Sequence, residues 1–291
     1  MPESQRDVFI SEIIKSMSNN KKIYFLSADF GAPALDELRN KFPNNFIHCG
    51  ISEQAMVDVA SGLALEGNTV FCYAMAPFLS LRSIEQIKCG PGLMSLPICI
   101  ISVGVGIGYA DAGPTHYINE DFACLRSIAG TNIYTSSDSD VAKQIAIKYL
   151  NKPHFSYVRL DREALPNLIN SNENYMEDGF RAYGEISEKS ICLISHGRMS
   201  HLCKDLVEEN PNKYFMVDLI QGKPISEKLA SLINKGFGFI TIDEQTPGGS
   251  LYSAIAELCS LNNFFKPSGF ISLPDDYIFE NGGRDYLLNK N

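Results

Sequence analysis

The sequence has no apolar segment long enough to cross a membrane. Its longest apolar stretches, residues 96–105 and 191–195, fall well short of the roughly 20 residues that a transmembrane helix needs, and they suit buried strands instead. Residues 1–10 include Glu3, Arg6 and Asp7 and lack the apolar core of a signal peptide. We therefore predict a protein without a membrane span, located in the cytoplasm.

Basic clusters and metal-binding cysteine pairs are also lacking. The formal net charge is −9, and basic residues occur only in short pairs such as Lys21-Lys22, which argues against a surface that binds nucleic acid. The eight cysteines include no CxxC pair and no metal-ligand spacing, which predicts reduced, mostly buried thiols and no metal site on this chain. One or two arginines in a cleft could still bind an anionic small substrate.

The 291 residues and 45% apolar content allow two domains. Strand-like and helix-like segments alternate, which is typical of a mostly parallel α/β sheet. A polar, asparagine-rich segment at 168–179 predicts a boundary between domains 1–168 and 179–291. The predicted strands are 23–27, 46–49, 70–74, 97–102, 132–135 and 155–160, then 191–195, 214–217, 239–243 and 269–273, and one helix is predicted over 138–150.

The clearest predicted helix begins after Ser52, a good N-cap, and ends before Gly67. Glu53 lies in its first turn, three residues before Met56 and seven before Ala60, so the helical period places the carboxylate on the buried face. Spacing alone leaves an ordinary solvated first-turn glutamate as the alternative. The predicted buried face is Ala55, Met56, Val59, Ala60, Leu63 and Ala64.

A glycine-rich loop, residues 104–113, follows the predicted strand 97–102 and leads to His116. Its third glycine comes too early for the dinucleotide-binding pattern GxGxxG, and no helix pattern follows at once. Loops at the carboxyl ends of parallel strands often carry reactive groups, so His116 is a candidate, with a structural histidine as the alternative. Arg162 could bind an anion or pair with Asp161 or Glu163.

The wider pattern is an ordered set of short motifs over most of the chain. The motifs are Ser27-Ala28-Asp29, Gly50-Ile51-Ser52-Glu53-Gln54, Ser61-Gly62-Leu63-Ala64, Phe78, Glu85-Gln86-Ile87, Gly113-Pro114-Thr115-His116, Glu120-Asp121, Leu125-Arg126, Arg162 and Leu165-Pro166, then more loosely Thr241-Ile242-Asp243-Glu244, Gly248-Gly249-Ser250 and Ala254-Ile255-Ala256-Glu257. The set resembles the second half of the transketolase family. This resemblance implies two three-layer α/β/α domains, the first a pyrimidine-binding domain with a mostly parallel sheet and the second a smaller transketolase C-terminal domain. It also implies a transferase of carbohydrate metabolism that moves a two-carbon ketol unit from a ketose to an aldose.

The resemblance implies which residues bind the cofactor, thiamine diphosphate. Glu53 would hydrogen-bond the ring nitrogen N1′ of the aminopyrimidine and promote the tautomer that deprotonates the thiazolium carbon. Phe78 would stack on the pyrimidine, although core packing is its alternative role. Met75 stands where the family often has a second aromatic and would still fill an apolar pocket. Asp29 would lie close to the cofactor at a subunit interface.

Four further residues would bind the substrate. His116 would contact hydroxyls near the reacting carbons, and Arg162 would bind a phosphate. Arg6 would be a second phosphate ligand, by its distance from Asp29 alone. Residues 111–113 read Asp-Ala-Gly instead of the family's Glu-Asp-Gly, so Asp111 stands for a shifted acid, and a histidine expected near Gly104 is absent. These departures leave the acceptor sugar and its phosphorylation open.

The family binds the cofactor's diphosphate through a Gly-Asp-Gly segment and a divalent cation, and no Gly-Asp-Gly occurs in this sequence. A magnesium ion needs near-octahedral oxygen ligands that include diphosphate oxygens. The resemblance therefore implies a partner subunit of the N-terminal type that holds the diphosphate and Mg²⁺. Active sites would then form between chains, in an α2β2 assembly, and this chain alone would be inactive.

Three other kinds of protein share part of this pattern. The β subunit of a 2-oxo acid dehydrogenase couples similar domains, but Gly-Pro-Thr-His with Glu120-Asp121 favours a transketolase. Half of a deoxyxylulose-phosphate synthase is a less favoured alternative. A non-catalytic regulatory subunit is disfavoured by the presence of Glu53, Phe78 and His116.

Overall fold

Residues 2–28, 33–169 and 175–290 are described by the computed structural model. Their strands are β1 Ile23–Ser27, β2 Phe46–His48, β3 Thr69–Met75, β4 Ile98–Val103, β5 Asn132–Thr135, β6 Ser156–Leu160, β7 Phe180–Tyr183, β8 Ile191–Ser195, β9 Tyr214–Leu219, β10 Gln221–Lys223, β11 Gly238–Ile242 and β12 Ser268–Ile271. A seven-stranded sheet has the order β10-β5-β6-β4-β3-β1-β2, and a five-stranded sheet has the order β12-β11-β8-β9-β7. Each predicted strand is present, with ends shifted by at most two residues.

Helices cover both faces of each sheet. They are α1 Gln5–Met17, α2 Ala34–Lys41, α3 Glu53–Leu65, α4 Ala76–Ser80, α5 Ile84–Ile87, α6 Asp121–Arg126, α7 Ser139–Asn151, α8 Tyr175–Asp178, α9 Met199–Glu209, α10 Glu227–Ile233, α11 Leu251–Leu261 and α12 Arg284–Lys290. One core of the first sheet lies under α1, α2 and α7, and the other under α3 to α6. The second sheet packs against α10 and α11 on one face and α9 on the other. The prediction of two three-layer α/β/α domains is confirmed.

The first sheet is parallel except at β10, and the second is parallel except at β7. A parallel sheet covered on both faces needs apolar side chains on both sides of its strands, and every residue of β4 is buried. Because parallel strands point the same way, the segments that follow β2, β3, β4 and β6 emerge at one edge. This carboxyl edge is where the candidate site residues lie.

The two halves are joined by buried ion pairs and by an exchanged strand. Arg284 of α12 lies 2.8 Å from the Asp161 carboxylate, just after β6, and 2.5 Å from Glu244. Arg181 of β7 lies 2.9 Å from Asp138, at the start of α7. Strand β10 comes from the second half but pairs with β5 in the first sheet. The predicted boundary at 168–179 stays a prediction, since residues 170–174 lie outside the described ranges.

The predicted buried face of α3 is partly wrong. Val59 is 46% exposed, and Ala55 is also exposed. The residues that face inward are Glu53, Met56, Val57, Ala60, Ser61 and Ala64, a regular helical stripe. Apolarity along the chain could not choose between Val57 and Val59; contact of α3 with β1, β3 and β4 made the choice. Strands β7 and β10 were missed because neither has an alternating or continuous apolar pattern.

Candidate functional site

Glu53 is the first residue of α3, five positions after the end of β2. The chain turns between them at Gly50, whose φ of +67° favours glycine. Glu53 is only 2% exposed, which confirms the prediction that its carboxylate faces inward. Its Oε2 accepts a hydrogen bond from Nη1 of Arg82 at 2.7 Å. Ser52 is the N-cap by position, but its hydroxyl donates to the Cys49 carbonyl instead of capping the helix.

Arg82 connects Glu53 to an aromatic ring. Its guanidinium carbon lies 4.6 Å from the centroid of the Phe78 ring, in cation–π geometry. The ring of His116 also packs on Phe78, with centroids 5.4 Å apart and planes at 80°. The Nδ1 atom of His116 lies 2.8 Å from the Thr115 hydroxyl. We call Glu53, Phe78, Arg82 and His116 the Glu53 cluster.

Three neighbouring strands position the Glu53 cluster. Glu53 follows β2, Phe78 lies in α4 immediately after β3, and His116 ends the loop after β4. Met75 is the last residue of β3 and is half-buried. The structure thus brings Glu53, Phe78 and His116 together, three residues that were predicted from separate sequence motifs. Their roles in binding stay predictions.

Arg162 does not pair with either acid beside it in the sequence. Its Nη1 donates to the Asp111 carboxylate at 2.6 Å, and its guanidinium lies 4.6 Å from the centroid of the Tyr109 ring. The hydrogen bond from Arg162 lowers the pKa of Asp111 below its ordinary value. Asp161 and Glu163 pair with other arginines, so the alternative of a local pair with them is wrong. Two predicted substrate residues, Arg162 and Asp111, are therefore partners.

Two positions in the glycine loop explain why it is rich in glycine. Gly104 has a φ of +82°, and a Cβ atom there would collide with the ring of Tyr109. Gly106 has a φ of +61°, and a Cβ atom there would collide with Glu244 of the second half. Side chains are thus excluded by packing at both positions. This accounts physically for the missing histidine near Gly104 and for a glycine pattern unrelated to dinucleotide binding.

Arg6 lies on α1, where its Nε donates to Asp7 at 2.7 Å. Burial acts to lower the pKa of the Arg6 guanidinium, but hydrogen bonds with Asp7 and Tyr73 raise it overall. Its neighbour Gln5 accepts the backbone N–H of Asp161 at 3.0 Å, so the start of α1 lies beside the segment that carries Arg162. Asp29 lies outside the described residues.

A buried network on the same sheet was not predicted from the sequence. Arg159, in β6, donates to both oxygens of Asp121 at 2.7 and 3.1 Å, and Tyr157 donates to Asp121 at 2.8 Å. Arg159 also donates to Thr135 at 3.1 Å and reaches His196 of the second half. Burial lowers the pKa of His196 well below its ordinary value, so its ring is neutral.

Arg82 was missed as well. Its only sequence signal is its position four residues after Phe78, a spacing that brings side chains together on a helix. Its partner Glu53 lies 29 positions earlier in the chain, beyond the reach of any local pattern.

Neither a metal cluster nor a membrane helix is found among the described residues. Within 2–28, 33–169 and 175–290, no three or more His, Cys, Asp and Glu side chains form a group that could hold a metal ion. In the same ranges, no helix combines the length and apolarity that a bilayer crossing requires. The cytoplasmic location stays a prediction.

Comparison with known proteins places this geometry in a family. The model of the transketolase pyrimidine-binding domain matches residues 4–167. One of the two named subunits of the apulose-4-phosphate transketolase of Phocaeicola vulgatus, the B-type chain, is 25% identical over 98% of this chain and 92% of that protein. The 1-deoxy-D-xylulose-5-phosphate synthase of Prochlorococcus marinus is 25% identical over 95% of this chain but only 44% of that protein.

A solved structure, described as a split-gene transketolase in an inactive β4 tetramer, has the same fold. It covers 100% of this chain and 93% of its own, with a TM-score of 0.82 and 23% identity. The resemblance drawn from the sequence is confirmed. The chain belongs to the transketolase family and corresponds to its C-terminal half, with the pyrimidine-binding domain at residues 4–167.

Proposed function

We propose that the chain is one subunit of a thiamine-diphosphate-dependent transferase that moves a two-carbon ketol unit between sugars or sugar phosphates. The observation that carries this proposal is the carboxylate of Glu53, 2% exposed, linked through Arg82 to the ring of Phe78. Burying a carboxylate is costly, and a buried acid in a cluster of this kind is a candidate for function. Its place at the carboxyl edge of a parallel sheet supports the same conclusion.

The Glu53 cluster fits the aminopyrimidine half of the cofactor. A carboxylate for a ring nitrogen and an aromatic face for stacking lie on either side of one guanidinium, 2.7 Å from Glu53 and 4.6 Å from the Phe78 centroid. The half-buried Met75 adds a polarizable apolar surface. The diphosphate and Mg²⁺ are assigned to a partner chain, because this sequence has no Gly-Asp-Gly segment.

Each residue then has a defined task. Bound thiamine diphosphate would supply the acidic carbon and the electron sink for cleaving a carbon–carbon bond. Glu53 would share a proton with the pyrimidine ring nitrogen, and Phe78 would hold the ring by stacking. His116 has its Nδ1 beside Thr115, so we assign its Nε2 to a substrate hydroxyl. Arg6 and Asp29 are the weaker assignments, to a phosphate and to the cofactor's surroundings.

Exposed apolar side chains around α3 and α5 support a partner. Helix α3 contacts both α4 and α5, so these residues belong to one region of the surface. Clustered exposed apolar residues mark interaction sites in proteins. We propose that an N-terminal-type subunit covers them in an α2β2 assembly and completes the active site. The residues are Ile51, Val59, Leu65, Leu81, Leu93 and Met94.

Reconstitution tests the proposed function. The chain would be purified with its bound partner, the partner and cofactor identified by mass spectrometry, and the assembly assayed for three reactions. Ketol transfer from a ketose to an aldose is the expected activity. Condensation of pyruvate with an aldose phosphate would favour the synthase-type alternative instead, and oxidative decarboxylation with a lipoyl acceptor the dehydrogenase-type alternative. An assembly that binds no thiamine diphosphate would leave a non-catalytic subunit.

Replacing Phe78 with alanine should weaken cofactor binding. Loss of the stacking surface is expected to lower the affinity of the assembly for thiamine diphosphate about tenfold. Titration calorimetry with the cofactor and Mg²⁺ measures the change. Phe265→Ala is the control, because Phe265 is 86% exposed in the second half, and it should leave the affinity unchanged. Equal affinities of the two variants would contradict the stacking role.

Replacing Asp111 with asparagine should shift the substrate preference toward phosphate esters. The change frees Arg162 from an ion pair with exposures of 42% and 60%, and such pairs are worth roughly 0–1 kcal/mol. The ratio of kcat/KM for phosphorylated over unphosphorylated acceptors should rise about threefold to fivefold. Asp36→Asn is a matched control, since Asp36 forms a similarly exposed pair with Arg39 on α2. An unchanged ratio would argue that Arg162 does not meet the phosphate.

A further inference from the structure

Arg82 holds both groups that the proposed function assigns to the aminopyrimidine. Its Nη1 lies 2.7 Å from the Glu53 carboxylate, and its guanidinium carbon lies 4.6 Å from the Phe78 centroid. A guanidinium is planar, delocalised and rich in N–H donors, and it stacks on aromatic faces. An aminopyrimidine is also planar and also presents nitrogen atoms to a carboxylate. The arginine therefore makes the same two kinds of contact that the ring would make.

Both contacts cannot be made twice at full strength. A ring that stacks on the face of Phe78 needs the space that the guanidinium takes at 4.6 Å. A carboxylate that is bound to a fixed cation is also a poor partner for sharing a proton with a ring nitrogen, because the ion pair favours the charged carboxylate. Formation of the pyrimidine contacts thus requires that Arg82 withdraw.

We propose that Arg82 and the aminopyrimidine compete for Glu53 and the face of Phe78. The inference rests on the proposed function. Arg82 is a positioning residue in this scheme: it fixes the buried carboxylate and the ring in place and yields them to the pyrimidine. Withdrawal is open to it, because the Arg82 side chain is 41% exposed whereas that of Glu53 is 3% exposed. Arg82 can therefore turn toward solvent while Glu53 stays in position.

Binding of a pyrimidine probe by the full chain tests the competition. The probe is 4-amino-5-hydroxymethyl-2-methylpyrimidine, which lacks the diphosphate and so does not depend on a partner's metal site. Arg82→Met removes the charge and the donors but keeps a long side chain, and it should bind the probe about tenfold more tightly than the unchanged chain. Arg82→Lys keeps the charge without the planar stack and should lie between the two. Calorimetry measures all three affinities.

Arg39 offers a matched control. It also forms an ion pair with a carboxylate, Asp36, at 2.5 Å, and its guanidinium lies 5.3 Å from the centroid of the Phe46 ring. Arg39→Met therefore removes the same two kinds of contact on α2, and it should leave probe affinity unchanged. Melting temperatures of all variants show whether each chain is folded. Arg82→Lys serves as the test variant if Arg82→Met does not fold.

The outcomes separate this inference from the proposed function. Glu53→Gln should weaken probe binding if the chain binds the pyrimidine at all. Tighter binding by Arg82→Met together with weaker binding by Glu53→Gln supports the competition. Unchanged or weaker binding by Arg82→Met, with the Glu53→Gln effect intact, would overturn the competition alone. No binding by any folded variant at the highest soluble probe concentration would overturn both proposals.

Discussion

Glu53→Gln is expected to reduce ketol transfer by the reconstituted assembly about 100- to 10,000-fold, the range typical of losing a positioned acid–base group. Glutamine has nearly the same shape, and its side-chain oxygen can still accept the hydrogen bond from Arg82. It cannot share a proton with a ring nitrogen as a carboxyl does. Steady-state rates at saturating cofactor measure the loss, so that weaker cofactor binding is not mistaken for slower chemistry.

Glu66→Gln is the matched control for this prediction. Glu66 is exposed at the C-terminal end of the same helix, α3, so the identical chemical change is made outside the cluster. Its rate should equal that of the unchanged assembly. A Glu53→Gln assembly that keeps full activity would refute a catalytic role for Glu53 and favour a chain that only supports its partner.

Asp121→Asn is expected to destabilise the fold by about 3–5 kcal/mol, because removing one partner of a buried pair leaves an uncompensated charge. Asp121 is 0% exposed, and the Arg159 side chain that it pairs with is 2% exposed. Burial acts to lower the pKa of Arg159, but the nearby Asp121 carboxylate raises it overall, so the arginine stays charged. The free energy of unfolding, measured by urea denaturation, tests the prediction.

The control is again Asp36→Asn, which breaks an ion pair whose side chains are 40% and 63% exposed. Exposed pairs contribute little, so a loss below about 1 kcal/mol is expected. A double variant, Asp121→Leu with Arg159→Met, should recover much of the stability, since it removes both charges together. Equal losses for Asp121→Asn and Asp36→Asn would show that the network does not stabilise the fold.

The network also explains how the second half bears on the site. Arg159 reaches His196, and Arg284 pairs with Asp161, directly before Arg162. Glu244 excludes a side chain at Gly106 in the loop that leads to His116. Residues of the second half therefore support both segments that carry the proposed substrate residues. None of these contacts is local in sequence.

Local patterns sufficed for the elements and for Glu53. Apolar runs predict buried parallel strands because such strands have no solvent face, and each predicted strand is present. Helical spacing from Met56 and Ala60 placed Glu53 inward, since the period of a helix is fixed by its backbone. The ordered motifs gave the family, because their sequence order reflects the order of strands along one sheet edge.

Tertiary packing decided everything that depends on distant partners. Arg162 pairs with Asp111, 51 positions away, and Glu53 pairs with Arg82, 29 positions away. Strand β10 adds to the first sheet although it follows β9 of the second, and Val57 rather than Val59 faces the core. Local sequence fixes the period and direction of each element. Which side chains meet is set by how the elements pack, because the partners of a charge or an exposed edge come from elsewhere in the chain.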